Sequence, residues 1–433
     1  MRRTENREQV QSAEKRMLDM KSLKELRRFV KTCVNWLILC AIMGTVGGLL
    51  GAFFHYALHF VTHLRGEHTW LVFLLPLGGL ATVALYRLLK MQGNKGTNEI
   101  IEATLQGKPV SPMVAPAIFL ATAITHLFGG SAGREGAALQ LGGSAASYLA
   151  KAYHLKEENR TILIMGGMSA VFAGLFRTPL TACLFTVEFA TVGKIFSPAL
   201  LPCYLTAFIA SEISAALGVH AEGYLIETAY SVNLLNCWQY LILAVLVSVL
   251  GIVMCGTFHK AEHLAQHYIK NPWLRIGLGG VLVTVMTLLA GDHRFNGAGM
   301  DMALAAVQGN ADWYSFLLKL IFTAVTLAAG FKGGEIVPTF CIGATFGCVV
   351  GGLLGLDPGF AAALALVGLF CCATNSPLAS VVLSVEMFGS SNLWLFALIS
   401  MICFVLSGSG GLYGSQIIRY PKALQLGKQS EKE

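Results

Sequence analysis

Gly129-Gly130-Ser131-Ala132-Gly133-Arg134-Glu135-Gly136, which runs on into the apolar stretch Leu139-Gln140-Leu141-Gly142-Gly143, decides how this chain is read. Glycine carries no side chain, so backbone N–H groups along such a loop can come close to an ion. A helix that starts there presents unpaired N–H donors and the positive end of its dipole, which favours an anion without a fixed cation. Glu135 then falls at the helix start. Its carboxylate can occupy the place of a transported anion, and on protonation it can leave.

The same pattern recurs further along the chain. Gly130, Gly133, Glu135 and Gly143 reappear 200 positions later as Gly330, Gly333, Glu335 and Gly343. Thr178-Pro179-Leu180, ending in Val187-Glu188, reappears 198 later as Ser376-Pro377-Leu378, ending in Val385-Glu386. Upstream, Asn94, Glu99 and Leu105-Gln106-Gly107 match Asn296, Asp301 and Val307-Gln308-Gly309. Three segments agreeing on nearly one offset mark two homologous halves, 31–217 and 235–408. A basic N-terminal helix over 1–30, a linker over 218–234, and a C-terminal helix with a tail over 409–433 complete the expected division. Two halves in one membrane protein commonly face each other as inverted repeats with the substrate between them. The sequence leaves parallel duplication open.

Composition places the chain in a bilayer: 55% of its residues are hydrophobic, 13% are charged, and the mean hydropathy is +0.63. Only some of the apolar runs reach the roughly 20 residues of a straight crossing. The shorter ones are interrupted by Gly and Pro, which membranes tolerate only where backbone is buried in protein or lines a cavity. Broken helices therefore point to a transport path. The eleven cysteines lack metal-site spacing and read as small core residues, and no metal or cofactor is expected. The net charge of +7 gathers at the ends, with Arg2, Arg3, Arg7, Lys15 and Arg16 among the residues preceding the first span. It predicts a multi-pass protein of the cell membrane with both termini cytoplasmic. The N-terminal stretch reads as a helix on the inner membrane surface, not as a signal peptide or a nucleic-acid-binding arm.

Two further loops complete the candidate site. Gly333-Gly334-Glu335-Ile336-Val337-Pro338 repeats the glycine-then-helix design, with Pro338 suited to a first helical turn. Gly93-Asn94-Lys95-Gly96-Thr97-Asn98-Glu99 is a polar glycine turn before a third helix start. If the halves pack face to face, the three starts converge.

These motifs resemble those of the CLC family of chloride channels and anion/proton antiporters. Gly133-Arg134-Glu135-Gly136 resembles the family's gating-glutamate signature, and Gly333 to Pro338 its second anion loop. Asn94-Lys95-Gly96-Thr97-Asn98 stands where the first anion loop is expected, and Tyr413 in Gly411-Leu412-Tyr413-Gly414 resembles the tyrosine at the inner end of the path. The resemblance implies an all-α inverted-repeat bundle of tilted, broken helices, a homodimer with one pore per subunit, and no regulatory nucleotide-binding module after Tyr413. It implies Glu135 and Glu335 for gating and proton transfer. For the anion it implies Asn94, Lys95, Gly96, Gly133, Arg134, Gly136, Ile336, Val337 and Tyr413.

The departures from the family pattern matter as much. Either Lys95 or Asn94 stands at the usual serine position, and Lys95 could hold the ion or reach to the cytoplasmic mouth. Phe189 replaces the inner glutamate of proton-coupled chloride members. Glu335 resembles the fluoride-transporting branch. Other polar residues have plainer readings: Glu188 and Glu386 as carboxylates capping backbone, His126 as a core histidine bonded to a carbonyl, and the Arg134 side chain as half of a buried ion pair. The leading expectation is chloride exchanged for protons. A passive chloride channel and a fluoride/proton antiporter are the alternatives. No nucleophile–base pairing suggests an enzyme.

Overall fold

The computed structural model describes the backbone of residues 2–230, 233, 235–419 and 422, and side chains from residue 25 onward. Among the described residues it forms sixteen α-helices: α1 (Arg2–Glu67), α2 (Leu75–Leu88), α3 (Thr97–Gln106), α4 (Val114–Leu127), α5 (Glu135–Ala152), α6 (Glu157–Phe176), α7 (Pro179–Glu188), α8 (Leu200–Ala216), α9 (Cys237–Tyr268), α10 (Pro272–Ala290), α11 (Met300–Val307), α12 (Ser315–Ala329), α13 (Ile336–Leu353), α14 (Pro358–Thr374), α15 (Pro377–Phe388) and α16 (Leu393–Leu406). Seven helical segments are long and apolar enough to cross a membrane, and six shorter apolar helices lie among them. The protein is an all-α, multi-span membrane protein.

Eight helices precede the 218–234 segment and eight follow it, and the breaks between them repeat. Arg177 ends α6 at φ +62°, ψ 33°, and Asn375 ends α14 at φ +59°, ψ 33°. The next residues, Thr178 and Ser376, are extended at φ −120°, ψ 72° and φ −122°, ψ 76°. Pro179 and Pro377 dictate this, because a proline pushes its predecessor out of the α region yet suits the first position of a helix.

The halves exchange bonds reciprocally. Gly133 and Gly334 form an antiparallel bridge, with N–H···O distances of 2.6 and 2.8 Å. The Glu188 carboxylate, ending α7, accepts the Leu378 and Ala379 amides that open α15, at 3.3 and 3.0 Å. Glu386, near the end of α15, accepts the Leu180 and Thr181 amides that open α7, both at 2.9 Å. Residue i touching j′ while j touches i′ is the mark of a local two-fold axis. Both glutamates act on backbone, as the plain reading of the sequence had them. Each fills amides that a helix start would otherwise leave unpaired in the membrane interior. Glu188→Gln keeps one carbonyl oxygen for two amides. It should cost about 1–3 kcal/mol, seen as a lower unfolding temperature in detergent with an unchanged proton-to-anion ratio.

Two expected boundaries differ. α1 runs without interruption through residue 30, because no Gly or Pro occurs before Gly44. The basic residues 2–24 lie on that helix, with side chains outside the described residues. The expected C-terminal helix over 409–433 is not formed in its described part. Gly408, Gly410, Gly411 and Gly414 break helical structure there, and Ile417–Ile418 instead pairs in parallel with Thr191–Val192, just after α7. This short ladder anchors the segment that carries Tyr413. Residues 420, 421 and 423–433 lie outside the described part.

Candidate functional site

α5 and α13 meet at their N-termini, and glycine permits it. A β-carbon on Gly133 would lie 2.7 Å from Glu135 Oε2, and one on Gly334 would lie 2.7 Å from the Gly136 nitrogen. Glu135, fully buried at the start of α5, turns its carboxylate across the junction: Oε2 accepts the Val337 amide of α13 at 3.1 Å and the Arg134 amide at 3.1 Å. Its other oxygen, Oε1, is buried without a partner. The carboxylate thus lies between the halves among N–H donors at two helix starts, where helix dipoles favour negative charge.

The third helix start converges on the same place. Thr97, opening α3, donates from Oγ1 to the Gly136 carbonyl at 3.4 Å. Gly96 precedes it at φ +64°, ψ −137°, a conformation that suits glycine. Gln140, one turn into α5, bonds the same Gly136 carbonyl at 3.0 Å and is 2% exposed. Gly133, Gly136, Ile336 and Val337 are therefore gathered with Glu135, and Gly96 lies one residue away from the contact.

Asn94 and Lys95 are not brought to Glu135. Asn94 closes its own turn, donating to Glu99 at 2.6 Å and accepting the Gly96 amide at 3.1 Å. Lys95 reaches outward to Glu102, Nζ to Oε1 at 2.8 Å, with its side chain 61% exposed. The Lys95 side chain thus points away from the Glu135 carboxylate, toward its exposed bond with Glu102. Glu102 is held below the usual carboxylate range by the bond from Lys95, with a second from Ser415.

A cavity of about 680 Å³ opens beside these loops, lined by Gly96, Gln140, Glu335 and Tyr413, with Lys95, Lys270, Arg275 and Lys332 also around it. Four basic residues thus line one opening together with Glu262 and Glu335, an excess of positive charge. Glu335 is the N-cap residue of α13, but its side chain makes no capping bond, and Oε2 is buried without a partner. A β-carbon on Gly136 would lie 3.6 Å from that oxygen, so the two glutamates flank one glycine. The Tyr413 hydroxyl is likewise buried and unpaired, and its ring stands edge-on to Phe189, 6.0 Å between centroids. Phe189 is fully buried.

Arg134 forms an ion pair with Glu222 and stacks over Phe176, its guanidinium 5.0 Å from the ring centroid. His126 is a core histidine, with Nδ1 3.0 Å from the Thr122 carbonyl oxygen. The sequence reading included Thr97 and Gln140 in their motifs without giving either a role, and it did not single out Glu222. A glutamine inside an apolar helix start was a usable signal for Gln140. Glu222 carried none, because it lies in the linker between the halves.

The family model described as voltage gated chloride channel matches residues 78–407. The chain belongs to the CLC family. A CLC relative from Pseudomonas syringae pv. tomato, a chloride/fluoride channel protein, is 32% identical over 395 residues, covering 90% of this chain and 87% of the relative. The H(+)/Cl(-) exchange transporter ClcA of Vibrio campbellii is 26% identical over 395 residues, covering 82% of each chain. Among solved structures, that of a CLC-type fluoride/proton antiporter superposes with a TM-score of 0.86 at 30% identity, covering 89% of this chain and 98% of that one. A slow cyanobacterial Cl-/H+ antiporter, at 20% identity and a TM-score of 0.75, shares the CLC fold.

Proposed function

We propose that this CLC protein exchanges a small anion for protons, that Glu135 is both gate and proton carrier, and that fluoride is the first anion to test. One observation carries the proposal: the Glu135 carboxylate bridges the two halves by accepting the Val337 amide, the place an anion would take. Protonation removes its charge and its claim on those amides. An anion and a proton then displace one another at one set of donors, which is the requirement for exchange. The reading is of transport, with no covalent chemistry.

On the cavity side the proton needs another stop. Phe189 cannot titrate, whereas Glu335 faces the cavity with a free oxygen one glycine from Glu135. We assign Glu335 that role. Gly133, Gly136, Ile336 and Val337 form the anion position, with Gly96 and Tyr413 on its approach. Arg134 enters through its backbone amide. Asn94 shapes the first loop, and Lys95 joins the basic mouth.

Chloride was the preference of the sequence. Two relatives at 30% identity or more carry fluoride in their descriptions, and Glu335 resembles the fluoride branch, so the preference moves to fluoride with chloride as the second reading. The cavity lies where α2 ends, the face from which α1 starts, since each crosses once. With the basic N-terminal residues, this supports a cytoplasmic cavity and N-terminus in the cell membrane. The C-terminal segment, tied to α7 by its short ladder, is proposed to end on the same face. A homodimer with one pore per subunit is part of the proposal.

Proteoliposomes loaded with fluoride or chloride, with anion efflux and proton uptake recorded together, test the choice. Fluoride efflux accompanied by proton uptake, with chloride moving far more slowly, is expected. Coupled chloride flux with negligible fluoride flux would reverse the assignment, and anion flux without protons would make the protein a channel.

A further inference from the structure

On the far side of Glu135 from the basic cavity lies a void of about 10 Å³, lined by Glu135, Thr178 and Glu222 among apolar side chains that include Phe176 and Met387. That volume holds about one water, and a buried water makes about three hydrogen bonds. Three residues on its wall each have a buried polar atom with no partner: Glu135 Oε1, Thr178 Oγ1 and Glu222 Oε2. Orphaned buried polar atoms are costly and rare, and here three belong to residues lining one water-sized space.

Glu222 is held there by built contacts. It belongs to the 218–234 segment, which precedes α9. The far end of α9 lines the basic cavity, so its beginning and this segment lie on the opposite face. The Tyr224 and Ile226 amides donate to the Met387 and Phe388 carbonyls at the end of α15, at 2.9 and 3.0 Å. Gly223 fits against the same backbone, since a β-carbon on it would lie 2.6 Å from the Met387 oxygen. Arg134 bonds Glu222 Oε1 and leaves Oε2 free.

We infer that Glu222 is the proton station for Glu135 on the face opposite the basic cavity, acting through one water held by Thr178. This rests on the exchange reading above. A proton leaves Glu222 Oε2 for the water, whose own proton passes to Glu135 Oε1; one O–H bond breaks for each that forms, and no other bond changes. The reverse path delivers protons outward. Arg134 is a positioning residue that fixes Glu222 through Oε1. His55 of α1 faces the same group of charges, which includes Arg134, Glu222, His59 and His220. His59 and His220 lie on the surface of the chain.

The test compares wild type, Glu222→Gln and Thr178→Val in proteoliposomes, with anion and proton flux measured as the pH on this face is varied. Glu222→Gln retains an acceptor for Arg134 but cannot carry a proton. Proton flux is expected to fall at least about tenfold while anion flux persists, and the dependence on that pH is expected to flatten. Thr178→Val, which removes one anchor of the water, should lower the proton-to-anion ratio by a smaller factor, with Thr178→Ser restoring it. A Glu222→Gln protein with wild-type ratio and pH profile overturns the inference. If that variant does not fold, an unchanged ratio in Thr178→Val does so. A wild type that moves no protons fails the exchange reading instead, so the two failures are distinct.

Discussion

Glutamine in place of Glu135 should reduce proton flux at least ~100-fold, the scale on which removing a positioned proton-transfer group acts, while anion flux continues and loses its pH dependence. The side chain is fully buried at the junction of α5 and α13, where its Oε2 accepts the Val337 and Arg134 amides. Glutamine has nearly the same shape, so packing survives. It carries no charge, so it competes weakly for donors that favour an anion, and it cannot bind and release a proton at this pH. Gate and carrier are thereby lost in one substitution. Proton movement uphill, driven by an anion gradient through the Glu135→Gln protein, would show that the carrier lies elsewhere.

Glu335→Gln should lose proton flux far more than anion flux, on the order of tenfold or more. A cap would be revealed by a bond from its carboxylate to the first amides of α13. No such bond forms, and the Val337 amide is taken by Glu135. Glu335 Oε2 instead has no partner beside the cavity. Phe189→Glu, placing a carboxylate where chloride/proton members carry theirs, should restore part of the lost flux. That position is fully buried against Phe185 and Tyr413, so the restored fraction is expected to be small. A Glu335→Gln protein that keeps the wild-type proton-to-anion ratio would assign the inner proton step to water.

Much of this was legible in residue order because the chain states its plan twice. The paired Thr178-Pro179 and Ser376-Pro377 breaks are dictated locally, by what proline does to its predecessor, and the backbone angles agree to within a few degrees. The glycines at 133, 136 and 334 were read as letting backbone N–H groups come close to an ion, and in the structure they let the backbones of the two halves meet beside Glu135. The direction of the Lys95 side chain was not legible. It depends on Glu102, seven residues on, against an alternative that motif alignment could not separate. Glu222 was hidden for a stronger reason. Its place is set by bonds from Tyr224 and Ile226 to α15, more than 160 residues later, in a segment with no counterpart in the other half. The described part of the expected C-terminal helix is not helical, because Gly410, Gly411 and Gly414 interrupt it.

Coupling itself can be measured most directly by imposing a fluoride gradient across proteoliposomes with no pH difference, clamping the membrane potential, and following the internal pH. Wild-type protein should drive protons in the direction opposite to the anion and in a fixed ratio to it, so that a pH difference builds up, and Glu135→Gln should abolish that movement while fluoride still flows. Fluoride flux through the wild type with no proton displacement would contradict exchange and leave Glu135 as the gate of a passive pore.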